Sequence, residues 1–174
     1  MCRYFCLHGK SRREGPGAGP DGERTGKLKR ILVVDDDPLV TKLVKINLEL
    51  GGEYAVEEAW DGESALKALR DRPPDLLVLD LMMPRTDGWD ILKMVRENEE
   101  LKELPVMLLS ARVHDEDIIR GWEMGADEYV TKPFNPTRMA ERLENVLRSS
   151  PQERRERREQ ELRKLTGAAS RRED

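Results

Sequence analysis

Four apolar runs in this chain end in residues that can handle a metal or a phosphoryl group. Leu76-Leu77-Val78-Leu79 ends in Asp80, and Ile31-Leu32-Val33-Val34 ends in Asp35-Asp36. Val106-Met107-Leu108-Leu109 ends in Ser110, and Tyr129-Val130-Thr131 ends in Lys132. A carboxylate on the last residue of a buried strand sits at the mouth of a sheet, where α/β proteins bind ligands. Carboxylates packed together repel, and each resists ionisation without a counter-charge. A Mg²⁺ ion and the Lys132 ammonium would answer that need, since Mg²⁺ takes a few carboxylates together with water and a phosphoryl oxygen. A carboxylate can also act as the nucleophile that accepts a phosphoryl group.

The elements that must position these residues alternate along the chain. Residues 30–35 read as strand 1. Asp37 can cap the next helix, with Pro38 in its first turn. Leu39, Leu43, Ile46 and Leu50, with Val40 and Val44, are expected to form its inner face, and Gly51-Gly52 stops it. Residues 54–59 are a weaker strand 2. Asp61-Gly62 opens helix 2, with Ala65, Leu66 and Leu69 inward, and Pro73-Pro74 closes it. Residues 76–80 are strand 3. Asp87 caps helix 3, which turns Ile91, Leu92 and Val95 inward. Residues 106–110 are strand 4. Helix 4 carries Ile118, Ile119 and Trp122 and ends near Gly125. Residues 128–131 are strand 5. Asn135-Pro136 starts helix 5, with Met139, Leu143, Val146 and Leu147 on one face. Short connections between alternating strands and helices imply a parallel sheet covered on both faces. Ser150-Pro151-Gln152-Glu153 matches a capping box and begins a charged helix to about Leu165.

Composition sets the bounds. The 174 residues suit one packed domain. The ends are basic, with 8 Lys/Arg against 3 Asp/Glu in residues 1–30 and 9 against 6 in residues 148–174, which leaves 14 against 26 between them. An acidic domain is not built to hold nucleic acid on its folded surface, so no direct DNA partner is expected. Residues 1–28 are rich in Gly, Pro and Arg and read as a disordered basic extension. Cys2 and Cys6 both fall there, so the core has no disulfide framework and a reducing cytoplasm fits. Cys2, Cys6 and His8 are a weak ligand set, and no metal is expected on them. No apolar stretch has membrane-spanning length, so no membrane partner is expected.

The motifs, in order and spacing, resemble those of the response-regulator receiver domain of bacterial two-component signalling. The resemblance covers residues 29–148. It rests on Ile31-Leu32-Val33-Val34-Asp35-Asp36-Asp37-Pro38, Leu79-Asp80-Leu81-Met82-Met83-Pro84 with Asp87-Gly88, Ser110-Ala111, Gly125-Ala126-Asp127-Glu128-Tyr129 and Lys132-Pro133-Phe134. It implies a flavodoxin-like doubly wound sheet of five parallel strands in the order 2-1-3-4-5, with strands 1 and 3 flanking the switch point. It further implies that Asp80 takes a phosphoryl group from the phosphohistidine of a histidine kinase or phosphotransfer protein. Mg²⁺ would be held by Asp36 and Asp80, by the Met82 carbonyl and, through water, by Asp35. Ser110 would hydrogen-bond the phosphoryl group, Lys132 would pair with it, and Tyr129 would report the state by turning inward or outward. A downstream partner would then read helix 4, strand 5 and helix 5. The residues after Arg148 are too few for an output domain, so a stand-alone receiver with a charged helical segment at 149–174 is expected.

Plainer roles compete with these. Asp37 alone suffices as a cap, Trp89 and Trp122 read as packing, and the Arg/Glu run at 153–164 reads as a solvated helix. Two other functions compete as well. A phosphohydrolase resembling the haloacid-dehalogenase group would use Asp-x-Asp after strand 1, which Asp35-Asp36-Asp37 offers. A phosphorylation-independent interaction module is the other, and the complete set of strand-end groups argues against it. Beyond its own phosphorylation and dephosphorylation, the chain is not expected to be an enzyme.

Overall fold

The computed structural model describes residues 27–84 and 86–169. The expected disorder of residues 1–28, and the Cys2/Cys6/His8 question, fall almost wholly outside them. Five strands, β1 (Lys29–Val34), β2 (Tyr54–Ala59), β3 (Leu76–Asp80), β4 (Val106–Ser110) and β5 (Glu128–Thr131), form one sheet. Every pairing is parallel and the order is 2-1-3-4-5. Strand β1 starts and stops one residue earlier than the expected 30–35, which leaves Asp35 just past its end. A two-residue antiparallel ladder, Met82–Met83 with Thr86–Asp87, closes the loop after β3.

The helices are α1 (Pro38–Glu49), α2 (Gly62–Asp71), α3 (Gly88–Glu97), α4 (Asp115–Glu123), α5 (Pro136–Arg148) and α6 (Pro151–Ala169). Their starts follow the cap residues read from the sequence. Asp37 accepts the Leu39 N–H at 2.8 Å, Asp87 the Trp89 N–H at 3.0 Å and Asn135 the Arg138 N–H at 3.1 Å. Each such cap is worth about 0.5–2 kcal/mol. Asp61 and Ser64 form a reciprocal capping box on α2, and Ser150 and Glu153 do the same on α6.

Alternation along the strands splits the core in two. Leu32, Val34, Leu77, Leu79 and Leu108 face α2, α3 and α4, where Leu69, Leu92, Val95 and Trp122 meet them. Ile31, Val33, Val78, Met107 and Leu109 face α1 and α5, where Val44, Leu48, Leu143 and Val146 meet them. Each fully buried Leu or Ile contributes about 1.5–3 kcal/mol, so these layers fix the frame on which the strand ends stand.

One expected face is corrected. Leu39, Leu43, Ile46 and Leu50 do not pack inward: Leu39 is 74% exposed and Leu50 79%. The buried residues of α1 are Thr41, Val44 and Leu48. Thr41 can occupy the interior because its hydroxyl donates to Glu58 Oε1 at 2.8 Å and lies 3.2 Å from the Pro38 carbonyl. Apolar residues lie on both sides of this helix, so periodicity alone does not choose between them.

Candidate functional site

Three neighbouring strand ends close in the same way. Asp35 Oδ1 accepts the Asp37 N–H at 3.0 Å, Asp80 Oδ1 the Met82 N–H at 3.0 Å, and Ser110 Oγ the Arg112 N–H at 3.1 Å. A short polar side chain that bonds the backbone two residues on sets a tight turn and locks its own rotamer. The second oxygen of each carboxylate is thereby aimed at a common point. Lys132 Nζ occupies it, 2.5 Å from Asp35 Oδ2 and 2.8 Å from Asp80 Oδ2. The Lys132–Pro133 peptide bond is cis.

Asp35, Asp80 and Ser110 are buried, while Asp36 is exposed. Ligand atoms of Asp35, Asp36 and Asp80 lie within 4.8 Å of one another. All three are hard anionic oxygens, a donor set that suits Mg²⁺ and not a soft metal. Burial raises the Asp35 pKa and the Asp80 charge adds to that; bonds from Lys132 and the Asp37 N–H oppose it. Burial works against the Lys132 ammonium, yet its bonds to Asp35 and Asp80 win, and its pKa is raised. Lys132 thus stays charged between Asp35 and Asp80.

An open cleft of about 490 Å³ leads to this point, lined by Asp36, Leu81, Met82, Thr86, Asp87 and Arg112. Met82 is 52% exposed at its rim. The N-terminus of α3 presses on the site from below. A Cβ on Gly88 would lie 2.3 Å from the Asp80 carbonyl oxygen, so only glycine permits that approach.

Ser110 and Tyr129 belong to the other side of the sheet, toward α4. Tyr129 is buried, and its hydroxyl donates to the Arg112 carbonyl at 3.0 Å. A Cβ on Gly121 of α4 would lie 2.8 Å from the Tyr129 ring, so α4 rests directly on that ring. Arg112 itself pairs with Asp117 at 3.0 Å. The structure therefore brings together Asp35, Asp36, Asp80 and Lys132, places the Met82 backbone beside Asp80, and sets Ser110 and Tyr129 around the Arg112 peptide.

Sequence reasoning passed over two features. Trp60, 55% exposed, lines a second opening beside Asp36 together with Asp61 and Glu63; its signal was a large ring directly after a strand. The other is the partnership of Asp127 and Glu128 with α6. Asp127 meets Arg154 at 3.3 Å and Arg158 at 2.8 Å, and Glu128 meets Arg157. The Arg/Glu run is thus docked along one side, not wholly solvated. No local pattern announces pairs about thirty residues apart.

A 2-1-3-4-5 parallel sheet with an acidic trio and a lysine at its carboxyl edge defines a receiver-type α/β domain. The chain belongs to the response regulator receiver domain family, whose model matches residues 31–144. It is 41% identical over 121 residues to the DNA-binding dual master transcriptional regulator RpaA of Synechocystis, covering 70% of this chain and 50% of that protein. It is 43% identical over 122 residues to the alkaline phosphatase synthesis transcriptional regulatory protein PhoP of Bacillus subtilis, with the same coverages of 70% and 50%. The crystal structure of a putative response regulator from Chloroflexus aurantiacus superposes with a TM-score of 0.67 at 36% identity, over 71% of this chain and 100% of that one.

These relatives correct one expectation. The acidic folded domain predicts no DNA partner, yet relatives of the chain are named as DNA-binding or transcriptional regulators. The chain spans about half the length of those relatives, with 50% of RpaA and of PhoP matched. The acidic charge belongs to the receiver surface and says nothing of the unmatched half of those relatives. The relatives are named as regulators and not as enzymes. Among the described residues, no helix is long and apolar enough to cross a membrane.

Proposed function

We propose that Asp80 is the phosphoacceptor of a two-component signalling switch, taking its phosphoryl group from the phosphohistidine of a histidine kinase or phosphotransfer protein. The observation that carries this is the Lys132 ammonium bridging Asp35 Oδ2 and Asp80 Oδ2. An Asp80 carboxylate oxygen attacks phosphorus, the P–N bond breaks, and its electron pair leaves on the imidazole, which then takes a proton. Lys132, already within bonding distance of Asp80, pairs with the incoming phosphoryl oxygens. Asp36, Asp80, the Met82 carbonyl and, through water, Asp35 would hold Mg²⁺, whose charge would offset that of the phosphoryl group. The Ser110 hydroxyl gives up its turn contact and donates to a phosphoryl oxygen. The Arg112 peptide, held between Ser110 and the Tyr129 hydroxyl, shifts with it and passes the change to α4, β5 and α5.

This is a population shift, so the active arrangement need lie only a few kcal/mol from the resting one. The phosphoacceptor unit is assigned to residues 29–148, and a Mg²⁺-rich cytoplasm suits it. The phosphohydrolase reading is disfavoured by Asp37. Its side chain caps α1 at 2.8 Å and so is not the free acid that an Asp-x-Asp enzyme needs. Intact-mass measurement after treatment with acetyl phosphate and Mg²⁺ tests the assignment. A single labile adduct of about 80 Da is expected. Persistence of that adduct in Asp80→Asn overturns it.

A further inference from the structure

Helix α6 holds the receiver by a divided set of bonds. Asp127 and Glu128 open β5, and both are buried, Glu128 at 0% exposure. One oxygen of each serves the domain. Asp127 Oδ2 takes the Arg96 guanidinium and the Val106 N–H, both at 3.0 Å. Glu128 Oε1 takes Arg142 at 2.5 Å and the Tyr129 N–H at 3.0 Å. The other oxygen of each serves α6. Asp127 Oδ1 receives Arg158 at 2.8 Å and Arg154 at 3.3 Å, and Glu128 Oε2 receives Arg157. Arg158 also donates to the Ala126 carbonyl at 2.9 Å, and Arg154 to the Glu103 carbonyl at 2.7 Å. Leu162 and Leu165 add apolar contact at the rim of the layer that holds Trp122 and Tyr129.

This division makes α6 removable. Stripping one partner from a buried ion pair is costly because it strands a charge. Here neither carboxylate would be stranded, because Arg96 and Arg142 stay with the domain. The helix would also survive release. It has its own capping box and i, i+3 or i, i+4 contacts such as Gln152 with Glu156 and Lys164 with Glu161. Among the described residues, its apolar anchorage is Leu162 and Leu165, both half-buried. The face it covers is also the one joined to the site. Glu128 Oε1 bonds the Tyr129 N–H, and α4 rests on the Tyr129 ring.

We propose that α6 is an autoinhibitory cover on the α4–β5 face, latched by Arg154, Arg157 and Arg158 on Asp127 and Glu128. Movement of Tyr129 and α4 on phosphorylation releases it. This rests on Asp80 being the phosphoacceptor.

Amide hydrogen exchange on the full chain, with and without Mg²⁺ and beryllofluoride, tests it, while fluorine NMR shows whether beryllofluoride is bound. With beryllofluoride bound, amides of residues 153–165 should exchange about tenfold faster or more, while β1, β3 and β4 keep their protection. Arg157→Ala with Arg158→Ala should show the same loss without beryllofluoride. Arg163→Ala with Lys164→Ala, which leaves the latch arginines intact, should not. Bound beryllofluoride with α6 protection unchanged overturns the cover alone. Equal loosening by the Arg163/Lys164 pair overturns the latch. Absence of any bound fluorine signal overturns the phosphoacceptor reading, and the release mechanism with it.

Discussion

The Tyr129 hydroxyl donates a 3.0 Å hydrogen bond to the Arg112 carbonyl, while the Arg112 N–H donates to Ser110 Oγ at 3.1 Å. The backbone of one residue, Arg112, thus links the strand-end hydroxyl to the ring under α4. Burial raises the Tyr129 pKa, with the Asp117 and Asp80 charges adding to it and the Ser110 and Arg112 contacts opposing it. A raised folded pKa stabilises the fold fully below the unfolded value of 10.0, and that stability is lost as pH rises through the folded value. Urea unfolding of wild type should therefore weaken more steeply above pH 10.0 than that of Tyr129→Phe. Below that pH the two curves should run parallel, offset by the lost hydrogen bond. Equal alkaline slopes would show that the phenol is not held as described.

Lys132→Met leaves Asp35 and Asp80 facing each other without their cation. Breaking a buried pair costs about 3–5 kcal/mol, and partial exposure of Lys132 brings the expectation to about 1–3 kcal/mol at neutral pH. The Asp35 pKa, already raised by burial, loses the opposing Lys132 contribution and rises further. Protonation of Asp35 then favours the fold, so the deficit should shrink as pH falls from neutral toward the carboxylate range. Denaturation in Mg²⁺-free buffer checks this. A deficit that grows on acidification would contradict it.

Gly88→Ala places a methyl group 2.3 Å from the Asp80 carbonyl oxygen and 2.6 Å from Leu81 Cα. Neither is a flexible side chain, so α3 must shift. The expected cost is about 1–3 kcal/mol of stability, with a fall in the rate of Asp80 labelling because the carboxylate moves with its backbone. Chemical denaturation and labelling by acetyl phosphate measure both.

The phosphoryl group should persist for minutes to hours. Hydrolysis needs a water aligned with Asp80 by a group that can orient it. The residues two beyond Asp80 and Ser110 both line the cleft: Met82, whose thioether is a poor partner, and Arg112, which has no acceptor and is tied to Asp117 at 3.0 Å. Met82→Asn with Arg112→Glu should lose label about tenfold faster, by the scale of general acid–base effects. A lifetime equal to wild type would show that these positions do not set it.

The strand ends were legible because apolar runs stop abruptly at Asp35, Asp80, Ser110 and Lys132, and parallel order follows from short crossovers. The inward face of α1 was not legible, because Leu39 and Leu43 carry the same apolar signal as Val44 and Leu48. Only the Glu58 partner of Thr41 shows which side is inside. The docking of α6 was hidden for a related reason. Its anchors are arginines, and their partners Asp127 and Glu128 are distant in sequence. The two-residue ladder after β3 is too short to leave a pattern.

Borohydride reduction after acetyl phosphate treatment tests the central claim most directly, since it converts an aspartyl phosphate to homoserine. Peptide mapping is predicted to find homoserine at position 80 alone, in the presence of Mg²⁺ and not after its removal by chelation. Homoserine at position 35 or 36, or none at position 80 under those conditions, would contradict the account.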